Sequence, residues 1–308
     1  MKACIDIGGT KVIVSLSSGA GLELLASRKE LTAKTGRNDA LGRQVIRMVD
    51  EACAELGIAP ETVQCAGVAS CGPFVVRDGL IEVAAPNICG GIAGPARGLP
   101  NDWQTALLEA PLRQRFEQVR VENDGVAALE AERRWGALQG IDHCAYVTWS
   151  TGIGLGLCVD GRVLHGKSGN AGHAGHTFVS DDDHDALCGC GNVGDVEALV
   201  AGNAIARRFG ADATTLLQRA GDGDPGAQAL VDEMCRVLGR MLYNLIATLD
   251  LQRISLGGSV FWHHRDYLLP RVQAQVAGKL PALTAGCELV PAGLANRVGD
   301  YAALALLV

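Results

Sequence analysis

A chain of 308 residues, 48% of them apolar, holds enough material for two domains, each with its own core. Its formal charge of −7, with no dense Lys/Arg run to offset it, argues against a nucleic-acid or anionic-membrane partner and for a small-molecule one. Apolar runs too short to span a bilayer, an N-terminus unlike a secretory signal and eleven unevenly spread cysteines point to a reducing, cytoplasmic setting.

The pattern along the chain is α/β. Strand-like "KACIDIG" and "KVIVSLS" are followed by a helix from about Asn38 to Leu56 and then by "VQCAGVAS". After the irregular stretch "AAPNICGGIAGPARGLP", the strand "VRVEN" runs into the helical "DGVAALEAERRWGAL". A second strand set opens at "HCAYVTWS", Ala198 to Leu249 is almost entirely helical, "RISLGGS" returns to strand, and "VGDYAALALLV" closes the chain as an apolar helix.

Two glycine turns stand near the start of each half, "DIGGTKVIVSL" from Asp6 and "STGIGLGLCVDGRVL" from Ser150. A dinucleotide or P-loop glycine turn opens a helix, whereas both of these run into β-branched residues and read as hairpins. Glycine lets backbone N–H groups approach a phosphate, and each turn carries a threonine, Thr10 or Thr151, so a pair of them suggests a nucleotide clamp. A literal P-loop string, "GRVLHGKS" from Gly161 to Ser168, is rejected because its first glycine closes a hairpin and no helix follows its Lys-Ser.

"VENDGVAAL" places Asn123 and Asp124 between a strand end and a helix start. One of them suffices to cap the helix, which leaves the other for a crevice at the carboxyl end of the sheet, where a carboxylate can take the proton of an attacking hydroxyl. Further on, His176, Cys188, Cys190 and Asp195 fall within one Gly-rich stretch. One imidazole, two thiolates and a carboxylate make an acceptable tetrahedral zinc set, with His184 competing as fourth ligand. Trp103, Trp135, Trp149 and Trp262 read as packing, Cys4, Cys65 and Cys144 as core thiols, and His263 and His264 as exposed.

Taken in order, "DIGGTK", "END", "STGIGLG", "AGHAGH", "CGCGNVGDVE" and "LGGS" resemble the ROK family of sugar kinases and sugar-responsive repressors, within the two-domain actin/hexokinase-like ATPase fold. The resemblance implies an N-terminal α/β domain of residues 1–121 plus 297–308, a C-terminal α/β domain of residues 122–296 with a zinc loop, and an active site in the cleft between them. It implies ATP phosphates at Asp6, Gly8, Gly9, Thr10, Lys11, Thr151 and Gly152, through Gly154, with adenosine near Gly257 and Gly258 and magnesium-bound water held by Asp6. Asp124 matches the general base, and Asn123, His176 and Glu197 match sugar ligands, with His176, Cys188 and Cys190 as zinc ligands.

Further residues refine this resemblance, some by departing from it. His173 stands where glucokinase-like members carry Glu, a variant similar to the bacterial N-acetylmannosamine kinases; a neutral imidazole offers one donor and one acceptor where a carboxylate offers acceptors only. "VASCGPFVVRDG" and "APNICGG" also resemble the acyl-sugar kinase pattern and add Gly72 and Asn87 to the sugar side. Asp195 replaces the family's third zinc cysteine, and Asn192 and Val193 replace residues that are often basic. The expected activity is ATP-dependent phosphorylation of the 6-hydroxyl of N-acetylmannosamine by a cytoplasmic homo-oligomer, in the manner of a dimer. Glucose, N-acetylglucosamine and fructose are the alternative substrates, and a non-catalytic sugar-binding protein is the rival reading. A sugar-sensing repressor is disfavoured by the acidic balance and by the five residues ahead of Asp6, too few for a DNA-binding helix-turn-helix.

Overall fold

In the computed structural model, residues 1–19, 21–93, 97–180 and 185–308 are described. Their contacts divide the chain into two units, Met1–Ala131 with His165–Ala171 and Gly299–Val308, and Glu132–Leu164 with Gly172–Val298.

The first unit opens with β1 (Lys2–Ile7), β2 (Lys11–Ser17) and β3 (Ala26–Leu31), then α1 (Ala40–Glu55) and β4 (Cys65–Ser70). A small antiparallel sheet follows, made of β5 (Phe74–Arg77), β6 (Leu80–Val83) and β7 (Ala106–Leu107), with α2 (Gly90–Ala93) between the last two. Next come α3 (Glu109–Arg115), β8 (Gln118–Asn123) and α4 (Asp124–Trp135), and the division between units falls inside α4. The main sheet has the order β3-β2-β1-β4-β8. β1 and β4 bury residues on both faces, as their apolar composition requires, and the core joins Ile5, Ile7, Val14 and Val68 to Leu41, Val45 and Met48 of α1.

The second unit contains β9 (Cys144–Trp149), β10 (Ile153–Val159) and β11 (Arg162–Val163), then α5 (Val196–Val200), α6 (Gly202–Phe209), α7 (Ala213–Gly221) and α8 (Pro225–Leu249). It continues with β12 (Arg253–Gly257), α9 (Ser259–Trp262), α10 (Arg265–Val276), α11 (Pro281–Thr284) and β13 (Glu288–Pro291); the closing α12 (Val298–Ala305) belongs from Gly299 onward to the first unit. Asp224 caps α8 by accepting from the Gly226 and Ala227 N–H groups, with Pro225 in the first turn. None of the described helices is long and apolar enough to cross a membrane.

The second sheet has the order β11-β10-β9-β12-β13. In both main sheets a hairpin and a third strand pair antiparallel while two later strands add parallel to the first. The chain thus builds one topology twice, and the two glycine turns seen in the sequence occupy the same place in each copy, between the first and second strands.

Candidate active site

In the first unit the pairings Ile7 with Ser70 and Ser70 with Asn123 bring the carboxyl ends of β1, β4 and β8 into line. Buried Asn123 caps α4, its Oδ1 accepting from the Gly125 N–H at 3.0 Å, and Oδ1 of Asp124 accepts from the same amide at 2.9 Å. Asp6 stands near the end of β1. Burial first, then the charge of Asp124, push its carboxyl up to about 7, against a downward pull from Lys11. Cys71, one residue beyond β4, feels both carboxylates, and burial followed by Asp124 and Asp6 drives its thiol above the ordinary range. Cys71 lies within the "VASCGPFVVRDG" stretch, but the sequence assigns it no role; strand register brings it here.

The turn between β1 and β2 is fixed from its own backbone and from β3. Gly8 donates to the Lys11 carbonyl at 2.9 Å, the Thr32 hydroxyl donates to the Gly8 carbonyl at 2.7 Å, and the Thr32 N–H donates to the Thr10 carbonyl at 3.0 Å. Thr10 and Lys11 face solvent. Asn87 packs so closely on the turn that a Cβ on Gly9 would fall 2.7 Å from the Asn87 Cβ, and Arg97 donates to the Asn87 Oδ1 at 2.5 Å. Gly72 joins Pro73 through a cis peptide.

The corresponding turn of the second unit, Ser150 to Gly152, carries an exposed Thr151. Its carbonyls are taken by the start of α6, with Gly202 N–H donating to Ser150 at 2.7 Å and Asn203 N–H to Thr151 at 3.3 Å. Gly257 ends β12 opposite Thr148, and Gly258 has φ +91 with the Trp149 carbonyl oxygen 2.4 Å from where a Cβ would sit, so both conformation and space require glycine.

The His/Cys/Asp set of the same unit converges. One ligand atom from each of His176, Cys188, Cys190 and Asp195 lies within 4.8 Å of the others. His176 Nδ1 is 3.1 Å from Asp195 Oδ2 and 3.5 Å from Cys188 Sγ, and Cys190 Sγ is 3.3 Å from the same Asp195 oxygen. The Asp195 hydrogen bond raises the His176 imidazole above its usual value despite burial. Burial opposes ionisation of Asp195 itself, but hydrogen bonds from His176 and the Ala198 N–H hold its carboxyl below the usual range. The His173 ring stacks on that of His176 with centroids 6.1 Å apart. Glu197 is tied to the turn, accepting from the Ile153 N–H at 2.9 Å. His184, the alternative ligand, lies outside the described residues.

Several other sequence expectations meet specific surroundings. The P-loop-like string leads into β11, and Lys167 and Ser168 lie in turn rather than helix. Trp149 and Trp103 are buried and donate to the carbonyls of Val200 and Gly36, while the Arg265 guanidinium lies 4.6 Å above the Trp262 ring. Cys4 and Cys144 are core thiols, but Cys65 is only half-buried because it opens β4 at the sheet end. His263 is exposed; His264 is half-buried where α10 begins, and burial lowers its imidazole.

The ROK family model matches residues 2–307. N-acetylmannosamine kinase of Shigella boydii serotype 18 is 36% identical over 267 residues, 83% of this chain and 82% of the relative. The ROK hexokinase from Thermus thermophilus matches with a TM-score of 0.77 at 29% identity, covering 99% of this chain and 97% of that one. A ROK family glucokinase from Streptomyces griseus, solved in complex with glucose and AMPPNP, matches with a TM-score of 0.72 at 25% identity, covering 98% and 97%. The fold is therefore that of the ROK hexokinases and glucokinases, an actin-like ATPase fold, and the chain belongs to the ROK family.

Proposed function

We propose that this ATP-dependent sugar kinase phosphorylates the 6-hydroxyl of N-acetylmannosamine, with Asp124 as its general base. The observation that carries the reading is the Asp124 carboxylate at the aligned carboxyl ends of β1, β4 and β8, the place where open α/β sheets bind ligands, with its charge felt by Asp6. The 6-hydroxyl proton passes to Asp124 as the oxygen forms its bond to the γ-phosphorus, and the bond from that phosphorus to the ADP oxygen breaks. The turns at Asp6–Lys11 and Thr151–Gly152, with Gly257 and Gly258, receive the nucleotide through backbone N–H groups. Gly72, Asn87, Asn123, His173, His176 and Glu197 contact the sugar.

N-acetylmannosamine is favoured by His173 in the A-G-H-x-G-H element and by the name of the Shigella boydii relative. Asp6 suits magnesium because a carboxylate disfavoured first by burial and then by the charge of Asp124 gains from a nearby cation, which when bound would neutralise charge on the transferring phosphoryl. The four converging donors of His176, Cys188, Cys190 and Asp195 suit zinc, which when bound would fix the loop that carries them. A coupled ADP-release assay with ATP and magnesium across acetamido sugars and plain hexoses tests the reading. Fastest turnover of N-acetylmannosamine supports it; preference for glucose, N-acetylglucosamine or fructose removes the substrate assignment, and silence across the panel removes the reaction.

A further inference from the structure

Glu197 has two commitments at once. Its Oε2 accepts from the Ile153 N–H at 2.9 Å, at the residue where the Ser150–Gly152 turn passes into β10. Its Oε1 accepts from the Cys188 thiol at 3.7 Å, at the edge of the His/Cys/Asp cluster. The approach to the turn depends on Gly152, since a Cβ there would stand 2.7 Å from the same Oε2. The segment carrying Glu197 is fixed at both ends. Asp195 caps α5 through the Ala198 N–H at 2.8 Å, and the first amides of α6 hold the carbonyls of Ser150 and Thr151. The Ile153 amide is thus held by a side chain where its neighbouring carbonyls are held by backbone.

We propose that Glu197 is a positioning residue for nucleotide: its carboxylate sets the conformation of the Thr151–Gly152 turn, and so the affinity of that turn for phosphate, before any sugar is present. The proposal rests on the reading of this turn as part of the nucleotide site and goes beyond the role of Glu197 as a sugar ligand. A hydrogen bond to a charged acceptor in a half-buried place holds a turn far better than water does. Losing it releases the turn into several conformations, of which only one presents its N–H groups correctly.

The test is the dissociation constant for AMPPNP measured by calorimetry without sugar, together with hydrogen exchange at the Ile153 amide. Glu197→Ala weakens AMPPNP by about tenfold, the weight of one such hydrogen bond, and speeds exchange at Ile153. Glu197→Gln, whose side-chain carbonyl still accepts from Ile153, stays within about threefold of wild type for AMPPNP. Glu197→Asp, which keeps the charge but is one methylene too short to reach the Ile153 N–H, reproduces the alanine variant and carries the test should that variant not fold. Unchanged AMPPNP affinity in Glu197→Ala, or a glutamine variant as weak as the alanine one, overturns the proposal. A protein that shows this AMPPNP pattern yet phosphorylates no sugar refutes the substrate reading and leaves the positioning role intact; wild type that binds no AMPPNP overturns both.

Discussion

The carboxylate of Asp195 is divided between two tasks: Oδ2 lies 3.1 Å from His176 Nδ1 inside the His/Cys cluster, while Oδ1 accepts from the Ala198 N–H at 2.8 Å and caps α5. A cysteine at this position could supply a thiolate but no such cap. The two tasks separate by mutation. Asp195→Asn keeps a capping oxygen and loses the anionic ligand, whereas Asp195→Ala loses both. Elemental analysis is expected to find stoichiometric zinc in wild type and little in either variant. Thermal melts of zinc-free protein are expected to place Asp195→Ala below Asp195→Asn by about 1 kcal/mol, the value of a cap. Wild type without metal would remove the zinc assignment while leaving the capping difference to stand.

Asp124→Asn separates chemistry from architecture. Asn Oδ1 can accept from the Gly125 N–H as Asp124 does at 2.9 Å, so the start of α4 should hold and the melting temperature should change little. The amide cannot take a proton at neutral pH. Turnover should fall by about 10²–10⁴-fold, the usual contribution of a general base, with sugar affinity measured by calorimetry largely kept. Full turnover in this variant would leave the mechanism without its base.

What the sequence disclosed and what it concealed follow from range. The glycine turns are legible as hairpins because their conformation is set within a few consecutive residues, and the capping role at Asn123 follows from one strand end meeting one helix start. The helix start expected near Asn38 falls at Ala40, a difference of capping detail. Glu132 is the opposite case. In "EAERRW" it reads as another charge on a helix, yet it is wholly buried and accepts from the N–H groups of Ala137, Gly293 and Leu294 and from the Ser255 hydroxyl. Its distant partners carry no local signature. The bond between Glu197 and Ile153 was hidden for the same reason: the motif holding Glu197 lies 44 residues from the turn it grips.

Glu132 itself supports a stability prediction. A buried carboxylate satisfied by four donors costs little, but Glu132→Gln turns one acceptor group into a donor facing other donors. The variant should lose about 3 kcal/mol in urea unfolding, in the range expected when buried polar groups are left unpaired. A loss below about 1 kcal/mol would mean that water or local rearrangement satisfies the site.

Asp6 makes stability depend on pH. Its folded carboxyl keeps a proton until about 7, against an ordinary value of 3.8, so between these the folded state binds more protons than the unfolded chain. Stability from this group therefore falls as pH rises through that window and stays low above it. Asp6→Asn removes the penalty. In metal-free, nucleotide-free buffer its melting temperature should exceed that of wild type at pH 8, and the gap should close towards pH 4. An equal gap at both ends would show that the variant acts through packing instead.

His173 offers the sharpest test of specificity because the alternative residue is a single substitution away. A glutamate there accepts hydrogen bonds from two hydroxyls, while an imidazole pairs one donor with one acceptor, as the carbonyl and N–H of an acetamido group can reciprocate. His173→Glu should lower kcat/KM for N-acetylmannosamine and raise it for glucose. Unpaired polar groups in a buried site discriminate strongly, so the ratio of the two should move by at least about tenfold. The stacking of His173 on His176, with ring centroids 6.1 Å apart, adds a second expectation: losing that ring should also disturb His176 and its cluster, visible as reduced metal retention. His173→Gln keeps one donor and one acceptor but no ring, and so divides the two effects. If it preserves the sugar ratio while metal retention drops, recognition lies in the polar atoms. If both measurements match wild type in both variants, His173 only fills space.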